Sequence, residues 1–113
     1  MAYHRVASVA DLPSGQAVRV DLDEPICLVR LVDGSVAAVH DTCSHQQASL
    51  SEGWVDDREV ECPRHGATFD VDTGAPGALP ATKPIPVYAC KVEDGAVWVD
   101  LADQRNDAPT PRH

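Results

Sequence analysis

Two short segments of the chain each place one thiol beside one imidazole. The first is Cys43-Ser44-His45, the second is Cys62-Pro63-Arg64-His65, and sixteen residues separate His45 from Cys62. Thiolates are soft, charged metal ligands, whereas imidazoles are neutral ligands that suit iron, copper and zinc. One ligand of each type in each segment therefore indicates a metal centre with two chemically different halves.

This pattern resembles the Rieske family, in which two His replace two Cys on one iron of a [2Fe–2S] centre. The family pattern is Cys-x-His, then roughly sixteen residues, then Cys-x-x-His. The runs 41–45, 61–70 and 80–88 are also similar to the family, and the resemblance extends from Val6 to Val99. It implies one [2Fe–2S] Rieske cluster, with Cys43 and Cys62 on the inner iron and His45 and His65 on the outer iron.

A structural zinc site is the main alternative, since Cys2His2 is also a zinc ligand set. Zinc modules usually pair a Cys-x2–4-Cys segment with a His-x3–5-His segment, often on a helix. Here each segment is mixed, and Pro63 prevents a helix from carrying the second pair of ligands. Absorbance and electron paramagnetic resonance (EPR) distinguish the two cases, because zinc is colourless and has no EPR signal.

The sequence offers no catalytic site of its own. An oxygenase would also need a mononuclear iron held by two His and a carboxylate, but His113 is the one histidine after His65. No Gly-x-Gly-x-x-Gly motif is present for a flavin or a nicotinamide. The chain is thus interpreted as a soluble one-electron carrier and not as an enzyme.

The carrier resembles the ferredoxin components of bacterial aromatic-ring-hydroxylating dioxygenases. That resemblance implies a flavin-dependent reductase as electron donor and a terminal oxygenase or other redox enzyme as acceptor. Two alternatives stay open at this point. One is a non-catalytic Rieske subunit of a nitrite-reductase-like complex, and the other is an accessory ferredoxin in iron–sulfur cluster assembly.

Composition narrows the classes of partner. The net charge of −9 argues against nucleic acid and against an anionic membrane surface, because both require basic patches. No apolar run approaches the ~18 residues of a membrane span, and the first residues lack the apolar core of a signal peptide. A cytoplasmic location is therefore expected, with the four cysteines acting as ligands or buried thiols and not as a disulfide framework.

Hydrophobic periodicity predicts an all-β fold. Segments 16–21, 26–31 and 36–39 are apolar or alternate, and Asp33-Gly34 lies between the last two. Segments 87–92 and 96–101 flank Asp94-Gly95 in the same way. An Asp-Gly pair between two apolar runs indicates a hairpin. Short strands are expected at 59–61 and 68–70, and at most one helical turn is expected after Ser8.

The resemblance implies layered antiparallel sheets, with a small cluster-binding subdomain inserted in a β base. Residues 1–101 would form this single Rieske domain, with a base of about 1–41 and 86–101 and a cluster-binding lobe of about 42–85. Residues 102–113 are polar, contain two prolines and are expected to be disordered.

A low reduction potential is predicted from what the chain lacks relative to the high-potential respiratory members of the family. Those proteins carry an extra disulfide between the ligand loops, but the corresponding positions here are Ala48 and Arg64. Their Ser and Tyr hydroxyls, which bond the cluster, are replaced by Ala67 and Phe69. Fewer hydrogen bonds stabilise the reduced state less, so the midpoint is predicted near the low end of the Rieske range, at about −150 mV.

Other residues that could do chemistry receive structural interpretations. Cys27 and Cys90 lie in strand patterns and are expected to be small core residues. His40 has no evident partner in the sequence and is expected to have no role. Trp98 is expected in the core, and Trp54 is expected to pack on the lobe, although a contact with a partner protein is an alternative for Trp54.

Overall fold

Antiparallel β-strands make up most of the regular structure of this computed structural model, which describes residues 3–43, 48–63, 66–78 and 83–108. The ten strands of this described part are β1 His4–Ser8, β2 Gln16–Asp21, β3 Pro25–Arg30, β4 Val36–His40, β5 Trp54–Asp56, β6 Glu59–Glu61, β7 Thr68–Asp70, β8 Pro76–Ala78, β9 Val87–Glu93 and β10 Ala96–Gln104. Single 3-10 turns lie at Val9–Asp11 and Leu50–Glu52. The all-β prediction is confirmed.

The larger sheet contains six strands in the order β1-β10-β9-β4-β3-β2. Both predicted hairpins belong to it, β3–β4 across Asp33-Gly34 and β9–β10 across Asp94-Gly95. Asp94 and Gly95 both have positive φ angles, of 53° and 75°. Positive φ at both central residues is what a two-residue type I′ hairpin turn requires, and Asp-Gly adopts it readily.

Strand β3 separates two hydrophobic cores. Cys27 and Val29 face one core, which includes Cys43, Cys62 and Phe69 among its members. Ile26 and Leu28 face the other, together with Tyr88, Val97 and Val99. Because both faces of β3 are buried, its sequence is continuously apolar and does not alternate.

The smaller sheet contains four strands in the order β5-β6-β7-β8, all drawn from the chain between β4 and β9. Val60 of β6 pairs with Phe69 of β7, and both side chains are fully buried in the core that also contains Cys43 and Cys62. The expected strands at 59–61 and 68–70 are present. Strands β1, β5 and β8 were not predicted, since each is short or lacks an alternating pattern.

The expectation of disorder from residue 102 onward is wrong for residues 102–108. Strand β10 continues to Gln104, and Ala108 is buried at 6% exposure. The Asn106 side chain donates to the carbonyl oxygens of Thr73 and Ile85, and its Oδ1 accepts the backbone N–H of Val87. Polar side chains thus order this segment through hydrogen bonds, which composition alone does not reveal. Residues 109–113 lie outside the described part of the chain.

Candidate functional site

Cys43 and Cys62 begin two loops that are closed in the same way. The backbone N–H of Cys43 donates to the carbonyl oxygen of Ala48 at 3.0 Å. The backbone N–H of Cys62 donates to the carbonyl oxygen of Ala67 at 2.7 Å. In each loop the bond spans five positions, and it encloses the predicted histidine ligand two or three residues after the cysteine. The same hydrogen bond therefore joins the two described ends of both predicted Cys/His segments.

Both cysteines are buried although each lies at the start of a loop. Cys43 is 0% exposed and Cys62 is 1% exposed, and they belong to one hydrophobic cluster with Leu50, Val60 and Phe69. None of the four cysteines, all of which the structure describes, forms a disulfide. Two buried thiols joined to one core suit the inner half of a cluster with two sulfur donors, because a dry site excludes water from an iron–thiolate centre.

The predicted histidine ligands, His45 and His65, lie outside the described residues. Within the described ranges, no group of three or more His, Cys, Asp or Glu side chains is placed to hold a metal ion. Cys43 and Cys62 fit the donor set of a [2Fe–2S] centre by their chemistry and burial. The complete set of four ligands stays a prediction.

A buried carboxylate connects the two ends of the first loop. Asp41, at 1% exposure, precedes the loop and accepts hydrogen bonds from the Ser49 hydroxyl and, at 2.8 Å, from the Ser51 backbone N–H, both of which follow it. The Asp41 carbonyl oxygen also accepts the N–H of Leu50 at 2.7 Å. This set of contacts, the Asp41 network, fixes the spacing of the two chain segments that lead into and out of the loop.

Gly53 supports the second loop by allowing a close approach of two backbone segments. A side chain at this position would place its Cβ atom 1.8 Å from the carbonyl oxygen of Glu61 and 3.2 Å from Cδ of Pro63. Glu61 and Pro63 flank Cys62 directly, so the turn at residue 53 packs against the start of the second loop. Only glycine leaves room for this contact.

His40 was expected to have no role, and this prediction is wrong. Its ring is 2% exposed, Nε2 lies 3.0 Å from Oε1 of Glu24, and Nδ1 accepts the backbone N–H of Thr42 at 3.1 Å. An Nδ1 that accepts requires the proton of a neutral ring to be on Nε2, which then donates to Glu24. The Glu24 carboxylate is sixteen residues away in sequence, and its proximity follows from the pairing of β3 with β4.

Cys27 and Cys90 have the properties of core thiols. Burial raises the pKa of the Cys27 thiol well above its ordinary value, and the Asp41 charge adds to this effect. Burial also raises the pKa of Cys90 to about 11. Both groups are therefore protonated at neutral pH, whereas metal binding requires the thiolate. Cys27 is fully buried, as expected, but Cys90 is only partly buried.

The two tryptophans differ from expectation. Trp54 was expected to pack on the lobe but is 60% exposed, and it pairs in register with Glu61, next to the second loop. Trp98 was expected in the core, but it is only partly buried, while its neighbours Val97 and Val99 fill the core. Successive side chains along a strand point to opposite faces, so Trp98 lies on the face of β10 opposite Val97 and Val99.

Comparison with known proteins identifies the class. The Rieske [2Fe–2S] domain matches residues 2–89. The ferredoxin subunit of 3-phenylpropionate/cinnamic acid dioxygenase from Escherichia coli K12 is 46% identical over 96 residues, which are 84% of this chain and 90% of that protein.

Two solved structures are similar across most of the chain. The ferredoxin in a complex of reduced oxygenase and oxidized ferredoxin of carbazole 1,9a-dioxygenase superposes with a TM-score of 0.85 at 36% identity, covering 93% of this chain and 97% of that one. The Sphingomonas yanoikuyae B1 ferredoxin has a TM-score of 0.81 at 36% identity, with 88% and 98% coverage.

The chain belongs to the Rieske [2Fe–2S] domain family. It carries one [2Fe–2S] Rieske cluster. Within the family it is a ferredoxin, an electron-transfer component and not a catalytic enzyme. No helix in the described part of the chain is both long and apolar enough to cross a membrane.

Proposed function

We propose that Cys43, His45, Cys62 and His65 hold the [2Fe–2S] cluster, with the two thiolates on one iron and the two imidazoles on the other. The observation that carries this proposal is the pair of buried cysteines at the starts of two identically closed loops. When bound, the cluster accepts and releases one electron at a time. The residues of about 42–85 act as the cluster-binding lobe, and those of about 1–41 and 86–101 act as the base.

The protein passes electrons from a flavin-dependent reductase to the terminal oxygenase of an aromatic-ring dioxygenase system in the cytoplasm. The similarity to ferredoxins of such systems supports this assignment. The net charge of −9 favours docking on basic surfaces of both partners, because charge complementarity speeds encounter and selects orientation. Neither nucleic acid nor a membrane is a partner.

The roles of the described residues follow from their positions. Cys43 and Cys62 supply anionic donors in a dry core, and the closing hydrogen bonds to Ala48 and Ala67 hold the loops in one geometry. A rigid, water-poor site needs little reorganisation when an electron arrives, because its donors are already oriented. The imidazoles of the outer iron are the expected exit for the electron.

The test is to purify the loaded protein and measure iron, inorganic sulfide and the EPR spectrum after reduction. We expect two irons and two sulfides per chain and a Rieske-type signal. Stopped-flow mixing of the reduced protein with an oxidised terminal oxygenase of this class should then show electron transfer that slows at high salt. A protein that contains zinc instead of iron would contradict the assignment of a [2Fe–2S] cluster to these ligands. A loaded cluster that the oxygenase does not oxidise would contradict the proposed partner.

A further inference from the structure

Asp41 brings a buried negative charge close to the first cluster loop. It lies two residues before Cys43, a distance that the chain can span with at most ~7 Å between Cα atoms. Its side chain is 1% exposed, so solvent and salt screen the charge only weakly. Its carboxylate accepts hydrogen bonds from the Ser49 hydroxyl and the Ser51 N–H, and it forms an ion pair with the Arg19 guanidinium.

Arg19 supplies the opposing charge from the surface. Its Nη1 lies 3.5 Å from Oδ2 of Asp41, while its Nε donates to the exposed carboxylate of Asp21 at 3.0 Å. The Arg19 side chain is 49% exposed and Asp21 is 68% exposed, in contrast to the buried Asp41. The pair therefore joins one buried and one accessible charge beside the loop that begins at Cys43.

We infer that the Arg19–Asp41 pair sets the reduction potential of the cluster. Reduction adds one electron to the centre, and a buried carboxylate nearby opposes that addition by Coulomb repulsion. Arg19 partly neutralises the carboxylate and so limits the decrease in potential. This inference rests on the proposed role of Cys43 as a ligand, and it makes Asp41 and Arg19 positioning and tuning residues without contact to a substrate.

The Asp41 network has a second effect, which the experiment must separate from the first. It links the chain before the loop to Ser49 and Ser51 after it, so its loss would also loosen the loop. Loosening changes how long the cluster is retained, whereas charge changes the potential. Substitutions that remove the charge and the link separately distinguish these effects.

The experiment measures the midpoint potential by spectroelectrochemistry on fully loaded protein, with iron content and EPR as checks on loading. Asp41→Asn removes the charge and keeps the shape, and we expect a higher potential. Arg19→Gln leaves the carboxylate uncompensated, and we expect a lower potential. Each change should alter the ratio of reduced to oxidised protein at fixed potential by several-fold to about tenfold, the latter being about 59 mV for one electron.

Two variants serve as controls. Asp21→Asn removes the exposed partner of Arg19 and should change the potential by less than a third of the Arg19→Gln shift. Ser49→Ala removes the hydrogen bonds of the Ser49 hydroxyl to Asp41 and Ser51 but no charge, so it should shorten cluster lifetime with little effect on potential.

Opposite shifts for the two main variants support the inference. An unchanged potential in loaded Arg19→Gln, or shifts of the same sign in both variants, overturns it. If Asp41→Asn fails to retain the cluster, the Arg19→Gln result alone decides. Failure of the proposed site would be seen separately, as normal loading when Cys43 is replaced by serine.

Discussion

Cys43 and Cys62, nineteen positions apart in the sequence, lie in one buried cluster and each donates its backbone N–H to the residue five positions further on. The other two cysteines differ from this pair in their setting, since Cys27 and Cys90 are in strands β3 and β9. This contrast separates the two proposed ligands from the two thiols whose pKa values are raised by burial.

Replacing either proposed cysteine ligand should abolish the cluster. We expect Cys43→Ser and Cys62→Ser to be colourless and to contain less than about a tenth of the wild-type iron, because the harder oxygen donor suits an iron–sulfur centre poorly. Cys27→Ala and Cys90→Ala are matched controls and should keep full iron and the Rieske EPR signal. Cys27→Ala should still lose about 1 kcal/mol of stability, from its buried sulfur atom. Bleaching of either control would contradict the ligand assignment.

A methyl group at residue 53 should displace the backbone at the start of the second loop, although residue 53 lies outside that loop. In Gly53→Ala the new Cβ would meet the Glu61 carbonyl oxygen at 1.8 Å, so the backbone beside Cys62 must move. We expect reduced cluster occupancy and a faster loss of visible absorbance under chelator. Gly95→Asn is the control, since a Cβ there meets no heavy atom within 4 Å and Asn tolerates the positive φ of 75°. Equal cluster lifetimes in the two variants would show that the close contact is unimportant.

Much of the fold is predictable from the sequence because the longer strands carry local signals. Val18 and Val20 alternate with polar residues in β2, and Asp-Gly pairs mark the β3–β4 and β9–β10 hairpins of the large sheet. Strands β5 and β8 have the same three-residue length as the predicted β6 and β7 but were not predicted, and each pairs along the outer edge of β6 or β7. Tertiary pairing and not local preference forms them.

For the candidate site, local sequence gives a prediction for the ligands alone. The spacing of Cys43, His45, Cys62 and His65 predicts the donors, but nothing local indicates the residues around them. The Glu24–His40 contact and the Arg19–Asp41 pair both depend on the register of neighbouring strands. One sequence signal could have indicated Asp41: serines at 49 and 51 follow the first loop and are potential donors to a carboxylate that precedes it.

The C-terminal segment should contribute strongly to stability through one side chain. Asn106→Ala removes donors to the Thr73 and Ile85 carbonyl oxygens and the acceptor of the Val87 N–H, which leaves backbone groups unpaired. We expect a loss of about 2–3 kcal/mol, since the contacts to the Val87 N–H and the Ile85 carbonyl are part-buried and each unsatisfied group there costs on the order of 1 kcal/mol or more. Thermal unfolding of the loaded protein measures it. The control is Asp107→Ala at the exposed neighbouring position, and its free energy of unfolding should lie within about 0.5 kcal/mol of wild type. A similar loss of stability in both variants would contradict the role of Asn106.

Arg58 should stabilise the protein in a pH-dependent manner. Its guanidinium donates two hydrogen bonds to Asp72 and one to Asp33, at 3.2 Å. The contact with Asp33 joins the β5–β6 turn to the β3–β4 turn. Arg58 lowers the pKa of Asp72, and hydrogen bonds from Ser35, with Arg58 adding to them, lower the pKa of Asp33. A carboxyl group whose pKa is lowered in the folded protein stabilises the fold at pH values above its ordinary pKa of 3.8. This contribution is lost as the pH falls through the pKa of the folded state.

The corresponding measurement compares the denaturant midpoints of wild type and Arg58→Gln from neutral pH down to about pH 3, followed by tryptophan fluorescence. We expect the denaturant midpoint of Arg58→Gln to lie slightly below that of wild type at neutral pH, because exposed ion pairs contribute little to stability. This difference should be smaller near pH 3. Lys91→Gln is the control, as its ion pair with Glu93 stays within one strand. A difference between wild type and Arg58→Gln that grows with acidity would show that the ion pairs are not its origin.

The contacts of Asn106 have a consequence for the order of events during synthesis. The ribosome delivers both Cys/His loops before it delivers the residue that fixes the carbonyl groups of Thr73 and Ile85. Strand β9, which pairs with β4 at the base of the first loop, also emerges later than either loop. A nascent chain therefore exposes its thiols before Ile85 and Val87, which belong to the same buried cluster as Cys43 and Cys62, have been synthesised.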